Sequence, residues 1–308
     1  MNNIIRKVTL LTTASAALVA HTACETDANE IDTSGGTPIS VMTCIFSPTD
    51  TIRVHIASSV AYDSHQKEAA VDDAYVTMSV NDEPLWTTHI TNGQTDAAFP
   101  PQKLTTDDKV TISAEIGDNG KMVRGSALVM SRVPIERVDT ITSDDKETLH
   151  ISLSMRDPQE TTDYYQITVH RLAYQDGIGT DTVIKCKYKS NVFSDLTGNM
   201  TSAAPIGLFV DERLPVRGGG RNTLHLSAPW ADIKKPLKED GADSTVISVR
   251  LLHLSDDFYN FMNTRQQSQN FLLLPVFGTS AVTSNTDGGY GIVACEVYDE
   301  KRFTLTTY

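Results

Sequence analysis

The sequence predicts an all-β chain: an N-terminal Ig-like β-sandwich followed by a second mostly-β domain with one short helix. Three observations predict it. Apolar and polar residues alternate in short runs, Asn, Asp and Gly close those runs, and a single segment near residues 256–268 keeps a helical spacing instead.

The chain opens with Arg6 and Lys7, then an uncharged stretch, residues 8–20, rich in Leu, Ala, Thr and Val. Such a segment reads as a secretory signal over residues 1–23, shorter than the about 20 apolar residues that span a bilayer. Thr22 and Ala23 supply the small residues that a lipoprotein signal peptidase needs before a cysteine, and the thiol of Cys24 would carry the lipid. His21 departs from the pattern, since an apolar residue, usually Leu, is commoner there. The alternative is ordinary secretion with cleavage after Ala16 or Ala20, leaving Cys24 an ordinary thiol. Glu25, Asp27, Glu30 and Asp32 make residues 24–40 a solvated acidic tether.

The first domain, residues 41–135, is built from alternating strands. "TIRVHIASSV" sets Ile52, Val54 and Ile56 on one face, with Arg53 and His55 on the other. "AYVTMSVND" offers Tyr75 or Val76, Met78 and Val80, then turns at Asn81 and Asp82. "KVTISAEIGDNGKMVRGSALV" reads as a hairpin turning at Asp118, Asn119 and Gly120, where glycine can take a positive φ. "SRVPIERVD", with Pro134 and flanking charges, marks the boundary.

The second domain, residues 136–308, continues the alternation in "TLHISLSMRDP", "DYYQITVHRLAY" and "DTVIKCKYKS", the last placing Cys186 on an apolar face. "NTLHLSAP" and "STVISVRLLHLS" follow. In "SDDFYNFMNTRQQ", Ser255 is a candidate N-cap, Asp256 and Asp257 occupy the first turn, and Phe258, Phe261 and Met262 make a stripe that packs on a sheet. "SNTDGGYGIVACEVYDEKRFTL" reads as a Gly-rich turn followed by a strand pair.

Composition points away from nucleic acid. The net charge is -13, and loss of Arg6 and Lys7 with the signal leaves 24 basic against 39 acidic residues. That field repels phosphate backbones. If Cys24 carries lipid, Cys44, Cys186 and Cys295 remain, which allows at most one disulfide and matches no zinc spacing.

No motif for catalysis stands out. The eight histidines fall in no H-E-x-x-H spacing, and no G-x-S-x-G elbow is present. The acidic pairs such as Asp144-Asp145 point to opposite faces where they lie on strands, a poor geometry for two cooperating carboxylates. Calcium at "NTDGG" or "TSDDKE" is set against plain turns, and no cofactor is expected. "RLPVRGGGRN" is the most site-like loop: Arg213, Arg217 and Arg221 flank three glycines and could hold a carboxylate, sulfate or phosphate, or simply join two strands. Trp86, Trp230, Tyr164, Tyr165, Tyr259 and Tyr290 include candidates for stacking on a sugar or peptide. Trp230 is expected in an exposed loop, while Tyr164 and Tyr165 must face opposite ways.

"DYYQITVHR", "ISVRLLHLSDDFYNFMNTRQQ" and "PVFGTSAVTSNTDGGYGIVACEVY", together with Ala74-Tyr75-Val76 and Val133-Pro134-Ile135, resemble a family of Bacteroidota outer-membrane lipoproteins known as domain of unknown function 4249. The resemblance covers about residues 24–308. The acidic residues behind Cys24 also resemble the surface-export signal of Bacteroidota lipoproteins. What this implies is a place and a companion: a lipid anchor in the outer membrane facing the cell exterior, beside a TonB-dependent transporter, with an unknown small molecule, glycan or peptide as ligand. It implies no reaction. The expected function is a ligand-binding accessory to such a transporter. A structural or adhesive surface protein is the alternative, and a hydrolase with a dispersed site the third reading.

Overall fold

The computed structural model describes residues 38–60, 65–66, 68–71, 73–91, 93–117, 120–158, 161–175, 178–189, 192–193, 207–233, 244–268 and 282–306. Cys24, the signal segment, most of the tether, and Asp118 with Asn119 lie outside them. The chain divides into two units, one of Met1–Pro38 with Ser59–Ala69 and another of Ile39–Ser58 with Ala70–Tyr308. The second unit carries the fold.

The alternating runs become strands: β1 (Ser40–Phe46), β2 (Ile52–Ser58), β3 (Ala69–Ala70), β4 (Asp73–Val80), β5 (Glu83–Thr91), β6 (Asp96–Phe99), β7 (Lys109–Ile116) and β8 (Lys121–Leu128). Met42, Cys44 and Phe46 of β1 and Ile52, Val54 and Ile56 of β2 bury their side chains against Val76 and Met78 of β4, Val110, Ile112 and Ala114 of β7, and Val123 of β8. A period of two puts every second residue on the core face, so each such strand needs an apolar residue only there. The β4–β5 turn is Asn81 (φ 50°) and Asp82 (φ 66°), two left-handed residues whose twist suits a two-residue hairpin. The Asn81 side chain fixes the turn, donating to Asp108 at 2.8 Å and accepting from the Lys109 N–H at 2.9 Å. In the β7–β8 hairpin Gly120 has φ 61° and donates to the Gly117 carbonyl.

A second core is formed by β9 (Ile135–Thr142), β10 (Thr148–Arg156), β11 (Tyr164–Gln175), β12 (Ile178–Ile184), β13 (Lys187–Tyr188), β14 (Leu208–Val210), β15 (Arg221–Pro229) and β16 (Ser244–Leu254). Leu149, Ile151, Leu153 and Met155 of β10, with Leu224, Leu226 and Ala228 of β15, face Tyr165, Ile167 and Val169 of β11 and Ile247, Val249 and Leu251 of β16. The chain is thus all-β in architecture, with sandwiched sheets as the alternation predicts.

β17 (Thr286–Asp287) precedes β18 (Tyr290–Thr306), which differs from the expected strand pair: it is one strand of 17 residues. At about 3.3 Å per residue it runs roughly 56 Å. Its start pairs in parallel with β1, from Val41 opposite Tyr290 to Phe46 opposite Cys295. From Glu296 onward it pairs antiparallel with β16. Val293, Cys295 and Val297 therefore pack in the first core, and Phe303 packs on the second. The charged run at residues 299–302 looks like a turn in sequence but stays extended, and three of its four charges have partners. Asp299, turned inward, accepts from Arg132 and from the Ile135 N–H, and Glu300, turned outward, accepts from Ser248 and Arg302.

The largest sheet runs β12-β11-β16-β18-β1-β2; the two others run β17-β8-β7-β4-β5 and β13-β15-β10-β9. Two α-helices, α1 (Trp230–Ile233) and α2 (Asp256–Ser268), and a 3-10 turn at Asp211–Arg213 complete the described structure. The α2 start is as expected in position: the Ser255 carbonyl accepts the Tyr259 N–H at 3.0 Å. The Ser255 hydroxyl, however, caps nothing and is buried without a hydrogen-bond partner. Phe258, Tyr259, Phe261 and Met262 pack with Leu252, Leu254, Ile292 and Ala294, so the stripe covers the outer face of the large sheet. Among the described residues no helix is long and apolar enough to cross a membrane. Cys44, Cys186 and Cys295 are buried free thiols, and burial pushes each up to about 12.

Candidate functional site

The strand register creates a cleft where β18 passes from the first core to the second. β1 ends at Phe46, opposite Cys295, and the chain turns away through Ser47, Pro48 and Thr49. The space left beside β18 is a cavity of about 400 Å³, lined by Ser47, Thr49, Arg132, Val297, Tyr298 and Glu300 among others. That volume is within the range of small-molecule sites, and its lining mixes apolar surface with a few polar groups.

Behind Glu300 the outer face of the large sheet carries a polar network set by register. Thr168, Arg250 and Glu300 form one cross-strand row, and His170, Ser248 and Arg302 form the next. Residues directly opposite on neighbouring strands share a face, so six polar side chains project together. Ser248 donates to Glu300 at 2.8 Å and Arg302 pairs with it at 2.5 Å. Arg250 reaches Asp181 at 2.7 Å and stands over the Tyr298 ring at 5.2 Å, which ties the network to the cleft wall. His170 Nδ1 donates to Asp181 at 2.6 Å, and its Nε2 accepts from the Thr168 hydroxyl at 2.8 Å. The result is a hydroxyl, an imidazole and a carboxylate in one line.

Charge states follow from these contacts. Burial holds the His170 imidazole below its usual value, and the nearby Arg250 cation adds to that against the pull of Asp181. Burial alone would raise the carboxyls of Asp181, Asp299 and Glu300. It is outweighed at Asp181 by His170 and Arg250, at Asp299 by Arg132 and the Ile135 N–H, and at Glu300 by Arg302 and Ser248, so all three sit below the usual carboxylate range. A carboxyl depressed on folding contributes stability above its unfolded value, near pH 4, and loses it as pH falls through the folded value. Accordingly, Asp299→Asn is expected to lose about 2 kcal/mol at pH 7, the scale of a hydrogen bond to a charged group. That deficit should shrink towards pH 3 in urea titrations. A deficit that stays constant with pH would contradict the role given to the Asp299 charge.

The residues singled out in sequence do not gather into one site. Arg213 donates to the Phe193 carbonyl at 3.4 Å, Arg217 to buried Asp211 at 3.2 Å, and Arg221 to Glu136 at 2.6 Å. The three guanidinium groups thus serve three different partners. Asn222 holds the loop from within, donating to the Val216 carbonyl at 2.6 Å and accepting the Val216 N–H at 2.9 Å. Trp230 does not lie in a loop: it opens α1 half-buried against the second core, and its backbone N–H donates to the Glu147 carbonyl. Tyr290, 49% exposed, starts β18 opposite Val41. Tyr164 and Tyr165 do face opposite ways. Tyr165 is fully buried, and Tyr164 packs on Tyr259 of α2 at 4.7 Å. Trp86 is exposed on β5.

The two loops weighed for calcium are tied internally. Asp145 accepts from the Ser143 hydroxyl and the Glu147 N–H, while Asn285 links Asp257 of α2 to both backbone groups of Val293. Among the described residues no group of His, Cys, Asp or Glu side chains is placed to hold a metal.

Sequence reasoning missed Arg132, His170, Asp181, Arg250 and Glu300 as a group. One signal was present: "TVHR" and "SVRLL" put His170 and Arg250 inside largely apolar strands, at positions facing away from the core.

The sequence matches the family model for a domain of unknown function, DUF4249, over residues 26–302. No curated protein matches it. Among solved structures the chain is similar to the Escherichia coli alpha-2-macroglobulin activated by porcine elastase, with 9% identity, a TM-score of 0.23, and coverage of 88% of this chain and 22% of that one. It is also similar to a two fibronectin type-III domain segment from chicken tenascin, with 9% identity, a TM-score of 0.21, and coverage of 88% and 99%. A third similarity is to the Parabacteroides merdae β-glucuronidase, with 8% identity, a TM-score of 0.21, and coverage of 70% and 24%. The chain spans 22% of the first of these proteins.

Proposed function

We propose that this chain, which belongs to the DUF4249 family, is a lipid-anchored binding protein of the outer-membrane surface that serves a TonB-dependent transporter. The observation that carries the binding part is the cleft beside β18, with Arg132 and Glu300 of opposite charge on its wall and the Arg250 network holding Glu300 in place. A wall of this kind suits a polar small molecule, glycan or peptide. Capture would need no covalent step. Cys24, behind a signal-like segment and before an acidic stretch, supports the anchored part. The residues between Cys24 and Ser40 could extend at most about 50 Å, enough to hold the sandwich clear of a bilayer surface.

The test compares intact cells carrying the wild type, Cys24→Ala and Glu300→Lys. Wild type is expected to be diacylated at Cys24, to be shaved by external protease, and to cross-link to a TonB-dependent transporter. Cys24→Ala should be released from the membrane fraction, and Glu300→Lys should stay anchored but lose the cross-link. Unmodified Cys24 in a soluble chain would remove the anchored part. An unchanged cross-link in a folded Glu300→Lys would remove the cleft from it.

One observation favours a second reading, a hydrolase: the line from Thr168 through His170 to Asp181 has the spacing of a hydroxyl activated by a neutral base. Ester hydrolysis abolished by both His170→Ala and Thr168→Val would support it.

A further inference from the structure

Further along β18 the second sandwich is open at its side. From Glu296 to Thr306 β18 pairs with β16, and among the described residues no strand lies on its other edge. β9 pairs with β10 and is likewise the last strand of its sheet. Between the two edges is a cavity of about 410 Å³ lined by Glu136, Arg137, Val138 and Thr140 of β9 and by Lys301, Arg302, Phe303 and Thr304 of β18. β1 occupies the corresponding edge of β18 over residues 290–295, so the open stretch is the continuation of a position that is already filled upstream.

We infer that this seam receives an extended, acidic peptide strand from a partner protein, added to the free edge of β18. Backbone N–H and C=O groups alternate along such an edge and pair with an incoming strand whatever its sequence. The floor supplies apolar contact, since Val138 and Phe303 are half-buried against the second core and Ile141 of β9 is 70% exposed. The rim supplies the choice of charge. In a chain of net charge -13, Arg137, Lys301 and Arg302 stand at the seam; Arg137 pairs with Asp139 at 2.7 Å and Arg302 with Glu300 at 2.5 Å, while Glu136 is shared by Arg156 at 2.5 Å and Arg221 at 2.6 Å, so five cations meet three carboxylates there. Local surplus positive charge favours acidic side chains, and the negative net charge disfavours a second copy of this chain. The inference does not depend on the lipid anchor or on the cleft.

The test uses the full chain carrying Cys24→Ala and two capped nonapeptides, TVEVEVEVT and TVKVKVKVT. The acidic peptide is expected to slow amide exchange roughly ten-fold or more in both β9 and residues 297–304 of β18, and to bind at least about ten-fold tighter than the lysine peptide. Arg137→Glu with Lys301→Glu, two exposed side chains, should invert that preference. Equal protection by both peptides, protection elsewhere only, or no protection overturns the inference, and the peptide comparison on unmutated seam residues stands even if the double variant fails to fold. Amides that are slow without peptide and become fast on deletion of residues 25–37 would instead identify this chain's own tether as the occupant, and also overturn it.

Discussion

Alanine at Gly291 is expected to destabilise the fold by about 4 kcal/mol, near the upper end of single-residue effects. Gly291 lies opposite Met42 in the parallel pair of β1 and β18, with φ 137°, a region that L side chains rarely adopt. A Cβ there would stand 1.8 Å from the Met42 carbonyl oxygen, and that atom belongs to a neighbouring strand's backbone, which cannot swing aside. Backbone strain of about 1–3 kcal/mol adds to the lost pairing of β1. Urea unfolding of Gly291→Ala is the measurement. A loss under about 1 kcal/mol would mean that β1 does not approach β18 this closely.

Tyr165→Ala should cost about 3–5 kcal/mol, the range for removing a large aromatic side chain from a core. The ring is fully buried, stacked between Phe209 at 5.2 Å and His253 at 5.1 Å. Tyr165→Phe keeps the ring and isolates the hydroxyl, which donates to Asp157 at 2.7 Å. Asp157 is fully buried and its second oxygen has no hydrogen-bond partner. Burial raises the Asp157 carboxyl, the Tyr165 hydroxyl opposes that, and Asp211 and Asp163 reinforce it. For a carboxyl raised on folding the sign is reversed: its stability contribution is full below the unfolded value and is lost as pH rises through the folded one. Losing the hydroxyl widens that loss. Tyr165→Phe is therefore expected to cost about 1–3 kcal/mol at pH 7, and distinctly less at pH 3. A larger penalty at pH 3 than at pH 7 would contradict the assignment.

Much of the architecture was legible because a period of two is a local property. Ile52, Val54 and Ile56, or Leu149, Ile151 and Leu153, declare their shared face within a few residues. The Asn81-Asp82 turn and the α2 stripe are local in the same way. Partnership across strands is not. Arg132 and Asp299 lie 167 positions apart and Arg250 and Glu300 lie 50 apart, so these partners cannot be read from the neighbourhood of residues 299–302. That is why one long strand reads as two. The arginines around the three glycines mislead for the same reason: their partners are a carbonyl at Phe193, a buried carboxylate at Asp211 and a glutamate on β9. The family match covers residues 26–302 and shows the family, while leaving the choice of site to geometry.

The long strand shared by both cores also sets an order of events as the chain is made. Cys44 lies beside Val293, roughly 250 positions later, so β1 cannot gain its parallel neighbour until nearly every other described strand has been synthesised. Both hydrophobic interiors stay unsealed up to that point, since one lacks Val293 and Cys295 and the other lacks Phe303. Contacts of such long range form slowly, because closing so large a loop is costly before any contact repays it. The chain therefore stays pliable while it is being translated, and locks when β18 arrives.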